Sequence, residues 1–356
     1  MTTVNFWSIV IQDVKDMKRF LISFVLIFAL LFNVFADNKK AHKELRAEFE
    51  KCVFLPELKS RGLDLKKLDK IDDLEEMKDY LSQFFIDENG MPLDNHLSIQ
   101  FEIFGKNYSD RYKSVKTSSS MQIEWSDEYG SKDELLNKGY KEDEIFYYPY
   151  FNGEWKDGYR VGKKYMGETK DSGRKSNYSV NSEKTLLVGL DTFKNGTNDK
   201  AYEEISNSDK EYLILDLSYN GGGHTRYGLH LVDVIEKMKP KEIFIIIDNS
   251  SVSMGEIDAI IVKKATNIKT TIVGYPTAGA WKCTKKLVVI SFDKFNINCR
   301  INEGETNWKW VYDTYNIPYQ TEGIGVTPDI YTDGSPRTSL EVIKYLINDN
   351  ELTYPY

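Results

Sequence analysis

The stretch Leu213-Ile214-Leu215-Asp216-Leu217-Ser218-Tyr219-Asn220-Gly221-Gly222-Gly223 decides how the second half of this chain folds. An apolar run interrupted only by Asp216 leads into three consecutive glycines. Such a run marks a strand buried on both faces of a parallel sheet. Glycine loses more backbone entropy on folding than any other residue. A triple glycine after a buried strand therefore suits a place where main-chain N–H groups must approach a ligand closely, as in an oxyanion hole. A flexible turn between strand and helix is the plainer alternative.

Outward from this stretch the same signal repeats. Residues 186–190, 212–217, 243–247 and 270–273 are short, mostly apolar runs. Between them, residues 227–238 carry Leu229, Leu231, Val232 and Ile235 on one helical side, and residues 254–265 are helix-like. Residues 339–347 read as a closing helix. Strand and helix alternate, so the spacing predicts an α/β fold on a parallel sheet. Before it, residues 38–86 are charged and helix-permissive, with Ile71, Leu74, Met77 and Leu81 at roughly helical spacing. Residues 97–183, rich in Tyr, Lys, Ser, Asp and Gly, predict short strands and loops.

The N-terminus reads as an address. Lys18 and Arg19 precede residues 20–32, in which only Ser23 is polar, and Val34-Phe35-Ala36 offers small residues where a signal peptidase reads. That apolar core is short against the roughly 20 residues of a membrane span. Export to the periplasm or outside the cell is expected, with an uncleaved signal anchor as the alternative. Met17 opens this signal naturally, so residues 1–16 are expected to be an upstream extension of the reading frame, and no cysteine near the cleavage point supports a lipid anchor. The expected organisation is residues 1–36 extension plus signal peptide, 37–96 a small helical N-terminal unit, 97–183 a β-rich middle region, 184–347 the core, and 348–356 a tail.

Composition narrows the partners. The chain has 356 residues, 41% of them hydrophobic and 29% charged, which fits a folded protein with its own core. Net charge is −8 without a long basic run, so neither nucleic acid nor an anionic membrane surface is an expected partner. No stable membrane insertion is expected once the signal is cleaved. Cys52, Cys283 and Cys299 are the cysteines; Cys283 and Cys299 flank two β-like runs and invite a disulfide across a hairpin, with three unpaired thiols as the alternative. No His/Cys/Asp spacing suggests a metal, and no cofactor is expected.

Three places carry chemistry. Besides the glycine run, Asp248-Asn249-Ser250-Ser251-Val252-Ser253-Met254-Gly255-Glu256 puts Ser253 between a strand end and a helix start. There the helix dipole and free N–H groups favour developing negative charge. On spacing alone, a serine before a helix is a cap. The third place is Asp94-Asn95-His96-Leu97, with one of four histidines. His224, directly after the glycines, is a rival base.

These segments resemble the C-terminal processing, or tail-specific, serine proteases. The stretch from Leu213 to Gly223 is similar to that family's strand and Asn-Gly-Gly turn, and Ser253-Met254-Gly255-Glu256 to its nucleophile followed three residues later by Glu. Gly274-Tyr275-Pro276-Thr277-Ala278-Gly279 and Gly323-Ile324-Gly325-Val326-Thr327-Pro328-Asp329-Ile330 resemble two further segments, in the same order. The resemblance implies a crotonase/ClpP-like core of ββα units and a serine endopeptidase acting on extended or unfolded polypeptide. Ala280 stands where processing proteases proper carry their Lys base. The tricorn-core branch uses instead a His from an N-terminal segment and a Glu before the Gly-Val-x-Pro-Asp motif. Those places correspond here to His96 and Glu322.

Read this way, Ser253 attacks the peptide carbonyl and His96 takes its proton. Glu322, through Asn95, orients the imidazole, while the N–H groups of Gly221 or Gly222 and of Met254 hold the oxyanion. Lys282 is an alternative base, and a non-catalytic member binding extended peptides by strand addition is an alternative of another class. The chain departs from the family at Ser218, where Arg is usual, and at Met254, where a smaller residue is usual. Residues 97–183 show no carboxylate-binding loop of a PDZ domain.

Overall fold

The computed structural model describes residues 43, 46–47, 50, 55–71, 76, 79–81, 83–84, 98–103, 106–107, 119–168, 177–281, 288–292, 295–300, 308–317 and 323–355. Helices α1 (Leu55–Ser60) and α2 (Leu65–Leu68) fall in the stretch predicted helical. Asp64 caps α2 by accepting from the Lys66 N–H at 2.9 Å. Ile71 and Leu81 are buried there, whereas Leu74 and Met77 lie outside the described residues.

Strands β1 (Ser98–Ile103) and β2 (Lys106–Asn107) come next, followed by β3 (Ser119–Gly130), α3 (Lys132–Asn137), β4 (Ile145–Tyr147), β5 (Tyr150–Phe151), β6 (Glu154–Trp155) and β7 (Tyr159–Glu168). Strands β3, β7 and β4 form an antiparallel sheet in that order. Short strands were expected, yet β3 has 12 residues and β7 has 10. The hydrophobic alternation that would betray them is diluted by an irregular register between Trp125 and Tyr129. The sheet packs through Ile123, Trp125, Phe146 and Tyr148 against Tyr275 and Tyr331 of the second half.

That half contains β8 (Tyr178–Asn181), β9 (Thr185–Gly189), α4 (Asp199–Asn207), β10 (Tyr212–Asp216), α5 (Thr225–Met238), β11 (Glu242–Ile247), α6 (Met254–Ala265) and β12 (Lys269–Gly274). It closes with β13 (Val288–Phe292), β14 (Phe295–Arg300), α7 (Trp308–Tyr315), β15 (Ile330–Tyr331) and α8 (Pro336–Ile347). A six-stranded sheet runs β15-β12-β11-β10-β9-β8, parallel from β15 to β9, with β8 antiparallel at the edge. Side chains alternate across it. Leu213, Leu215, Ile243 and Ile245 join the cluster that includes residues of α4, α5 and α6; Ile214, Phe244 and Ile246 join the cluster that includes Leu340 and Ile343 of α8. Both faces are covered, which is why these strands read as unbroken apolar runs; each large apolar side chain so buried contributes about 1.5–3 kcal/mol. The protein is thus an α/β molecule built on a mixed sheet.

A separate sheet has the order β13-β14-β1-β2. In it Cys299 lies opposite Val288 on one side and Ile99 on the other; Cys283 lies outside the described residues.

Candidate active site

Strands β10 and β11 are parallel neighbours, so their carboxyl ends and the turns that follow emerge side by side, where open α/β sheets place their sites. The glycine turn after β10 and the serine turn after β11 therefore touch. Val252 N–H donates to the Asn220 carbonyl at 2.9 Å. A methyl group added to Gly222 would stand 2.8 Å from Ser253 Cβ and 3.0 Å from Met254 N; one added to Gly255 would stand 2.8 Å from the Asn220 carbonyl. Glycine is required at both places because two backbones meet there. Gly222 also has φ +78°, a left-handed value that favours glycine.

Ser253 holds φ 58° and ψ −121°, a conformation that L-residues other than glycine rarely adopt and that costs of order 1–3 kcal/mol. Its hydroxyl does not cap α6: no side-chain hydrogen bond reaches the first turn. The capping expectation from spacing alone gives way to the reverse bond, in which Glu256 Oε1 accepts from the Ser253 N–H at 2.9 Å. Ser253 is 7% exposed, and its Oγ has no hydrogen-bond partner among the described residues. A hydroxyl is thus presented on a strained backbone at the positive end of a 12-residue helix.

The strain is held by Glu256. Its carboxylate is fully buried and accepts four hydrogen bonds. Oε1 takes Ser253 N–H and Ala280 N–H (2.8 Å); Oε2 takes Thr277 Oγ1–H (2.5 Å) and Gly279 N–H (2.7 Å). Burial pushes this carboxyl above its ordinary range and the four donors pull it back. Thr277 Oγ1 in turn accepts from the Val326 N–H at 2.7 Å, Gly323 N–H donates to the Gly279 carbonyl at 2.8 Å, and Trp281 Nε1–H donates to the Ile324 carbonyl at 2.6 Å. Two of the quoted segments, 274–279 and 323–330, are therefore walls around the serine turn.

The N–H groups of Gly221 and Gly222, expected to serve an oxyanion, have acceptors of their own. Gly221 N–H donates to the Asp191 carbonyl at 2.9 Å, and Gly222 N–H to Asn220 Oδ1 at 2.8 Å. Both are engaged within the fold. Gly223 and Met254 are the neighbours whose N–H groups have no acceptor among the described residues. Gly223 is exposed and Met254 is the first residue of α6. The Met254 side chain is buried in the core beside Gly228, so its bulk turns away from the turn and leaves its N–H clear.

Ser218, where the family resemblance leads one to expect Arg, is buried and donates its N–H to Asp216 Oδ1 at 2.9 Å. His224 is exposed, its ring edge-on to Tyr227 at 6.1 Å, and it makes no hydrogen bond to Ser253. His96, Asn95, Glu322 and Lys282 lie outside the described residues. Three residues with structural weight here went without a role in the sequence: Asn220, whose Nδ2 donates to the Leu190 carbonyl at 2.8 Å, Glu256, and Asp248. Their signal was position, directly before the glycines, three residues after the serine, and directly after a buried strand.

No group of three His, Cys, Asp or Glu able to hold a metal occurs among the described residues. No described helix is long and apolar enough to cross a membrane.

No protein-family model matches this chain, and no curated protein matches it. Solved structures similar to it include a lipoprotein from Streptococcus agalactiae, at 13% identity over 87% of this chain and 96% of that one, with a TM-score of 0.43. Mature CPAF is similar at 12% identity over 90% and 99%, with a TM-score of 0.41. A Bacteroides fragilis protein assigned to the S41 proteases is similar at 15% identity over 55% and 62%, with a TM-score of 0.35. None of the three reaches a TM-score of 0.5, and the case for a site rests on this chain's own residues.

Proposed function

We propose that this protein is an exported serine endopeptidase that hydrolyses peptide bonds of extended or unfolded polypeptides, with Ser253 as nucleophile. The observation that carries this reading is the Ser253 hydroxyl, without a hydrogen-bond partner among the described residues, on a backbone at φ 58° with Gly222 close against it. A serine that only capped a helix would need neither the strain nor the close approach.

In the proposed reaction Ser253 Oγ attacks the carbonyl carbon of the scissile peptide while a base takes the hydroxyl proton. The tetrahedral oxyanion is held by the N–H groups of Met254 and Gly223; each such donor lowers the barrier by about 3 kcal/mol. The base then returns the proton to the leaving amine, and water repeats the sequence on the acyl-enzyme. We assign the base to His96, oriented by Glu322 through Asn95, as in the tricorn-core branch of the processing proteases; Lys282 is the alternative.

Cleavage of an unfolded protein substrate separates these. Activity is expected to disappear in Ser253→Ala and His96→Ala and to survive in Lys282→Ala. Loss in Lys282→Ala with retention in His96→Ala moves the base to Lys282. Absence of cleavage by the wild type between pH 5 and pH 10 removes the peptidase reading and favours a module that binds peptides by strand addition.

A further inference from the structure

Asp248 follows β11 directly and is 2% exposed. Its Oδ1 accepts from the Ser250 N–H at 3.1 Å, a local turn of the kind Asp forms with the residue two positions on. The same oxygen also accepts from the Tyr219 N–H at 2.9 Å, 29 residues away on the neighbouring turn. A local turn does not need that second bond. Tyr219 is itself held at φ 66°, the left-handed region, immediately before Asn220 and the glycines. Ser251 Oγ stands 3.2 Å from Asp248 Oδ1 and donates to the Leu217 carbonyl at 2.8 Å, a second tie between the same two turns.

We propose that Asp248 is a positioning residue that fixes the glycine turn against the serine turn, and so sets the separation of the Gly223 and Met254 donors. The catalytic part of this proposal rests on the peptidase reading above; the brace itself does not. Each turn is anchored to its own strand, and the buried carboxylate is the side chain whose one oxygen accepts from the backbone of both. Burial pushes its carboxyl up to about 7, the negative charge of Asp216 at the end of β10 adds to this, and the Tyr219 and Ser250 donors oppose it. Among the described residues, Asp216 is the charged group that faces Asp248; its own Oδ2 accepts from the hydroxyls of Tyr178 at 2.5 Å and Tyr354 at 2.9 Å. The brace therefore changes charge near neutral pH.

Two variants and two readouts test this. Asp248→Asn keeps an acceptor oxygen in place, and Asp248→Ala removes it. In Asp248→Ala, kcat is expected to fall about 10- to 100-fold, as misplacement of a reacting group by an ångström or less does, with KM nearly unchanged. Asp248→Asn is expected to restore most of that loss. By hydrogen–deuterium exchange, segments 217–224 and 249–254 are expected to open together in Asp248→Ala and to stay protected in Asp248→Asn. Faster exchange confined to 249–254 reduces Asp248 to a local turn and overturns the proposal, as does an unchanged kcat in Asp248→Ala.

Should Asp248→Ala not fold, the pH dependence of exchange decides. In the wild type both segments are expected to lose a little protection together as pH falls through about 7, because a protonated carboxyl is a weaker acceptor than a carboxylate, and in Asp248→Asn neither is; a change that persists in Asp248→Asn contradicts the brace. If the wild type cleaves nothing, the exchange measurement still reads the brace, so the two failures are distinguishable.

Discussion

Asn152, between β5 and β6 of the middle region, holds φ at 55°, and Ser253, between β11 and α6, holds φ at 58°. The first turn explains itself. Asn152 is exposed, Gly153 follows at φ 81°, and nothing lies within 4 Å of a methyl group added to that glycine. Asn-Gly is the pair that a tight hairpin turn selects on local chemistry. The second turn has no such local excuse. Serine does not favour this conformation, and the residues that hold it come from three other places: Asn220 and Gly222 from one turn, Glu256 from the following helix, and residues 277–280 from the loop after β12. Where a backbone strain is over-determined by distant parts of the chain, function is the reason to look for.

The same contrast runs through the charges. The middle region pairs its charges at the surface, as in Lys132 with Glu142 and Lys138 with Glu128, contacts that add little to stability. The second half buries Asp216, Asp248, Glu256 and Asp258. A buried carboxylate is expensive unless it is bonded or protonated.

Variants that probe this contrast differ in size. The largest effect is expected for Glu256→Ala, which leaves four buried donors without an acceptor. Loss of about 4 kcal/mol or more is expected from the denaturant midpoint, along with loss of any reaction at Ser253.

Next is Asp258 in α6, whose two carboxylate oxygens are buried without a hydrogen bond among the described residues, against Gly228 of α5. Burial raises its carboxyl well above the ordinary range, so the native state holds a proton that the unfolded chain gives up at about pH 4. Stability is therefore full below that pH and declines as pH rises toward the folded value. Asp248 contributes in the same direction between about 4 and about 7. Asp258→Asn cannot ionise, so its stability relative to wild type is expected to rise as pH rises above about 4, measured by the denaturant midpoint at several pH values. A difference that is flat with pH would mean the group is not protonated in the fold.

The smallest effect is expected at the seam between the two regions. Tyr275 Oη accepts from the Ile123 N–H and donates to the Ile123 carbonyl at 2.9 Å. Tyr275→Phe removes both bonds and is expected to cost about 1 kcal/mol. A marked loss of reaction at Ser253 in that variant would show that the middle region helps to set the site, through Pro276 and Thr277, and would blur the contrast between the two regions.

Much of the core was legible because its strands are buried on both faces and its helices carry one apolar side: observed β10, β11, α5 and α6 begin and end within two residues of the predicted runs. Helix α4 was not, since only Ala201, Tyr202 and Ile205 of its nine residues are buried. Strands β3 and β7 were hidden by a solvent-facing side and an irregular register. At the candidate site, the turns that carry Ser253 and the glycines could be placed at strand ends from residue type and order. Which N–H groups remain for an oxyanion could not, because that depends on Asp191 and Asn220 engaging Gly221 and Gly222 across the fold. Partners fixed by long-range packing leave no local trace.

That Ser253 is a poised nucleophile and not a helix cap is tested by the rate of phosphonylation by a fluorophosphonate, with the adduct mapped by mass spectrometry. A single adduct on Ser253 is expected in the wild type, forming about 100-fold more slowly in folded Gly222→Ala, whose methyl group would press on the serine turn. An adduct elsewhere, no adduct at all, or an equal rate in Gly222→Ala would contradict it.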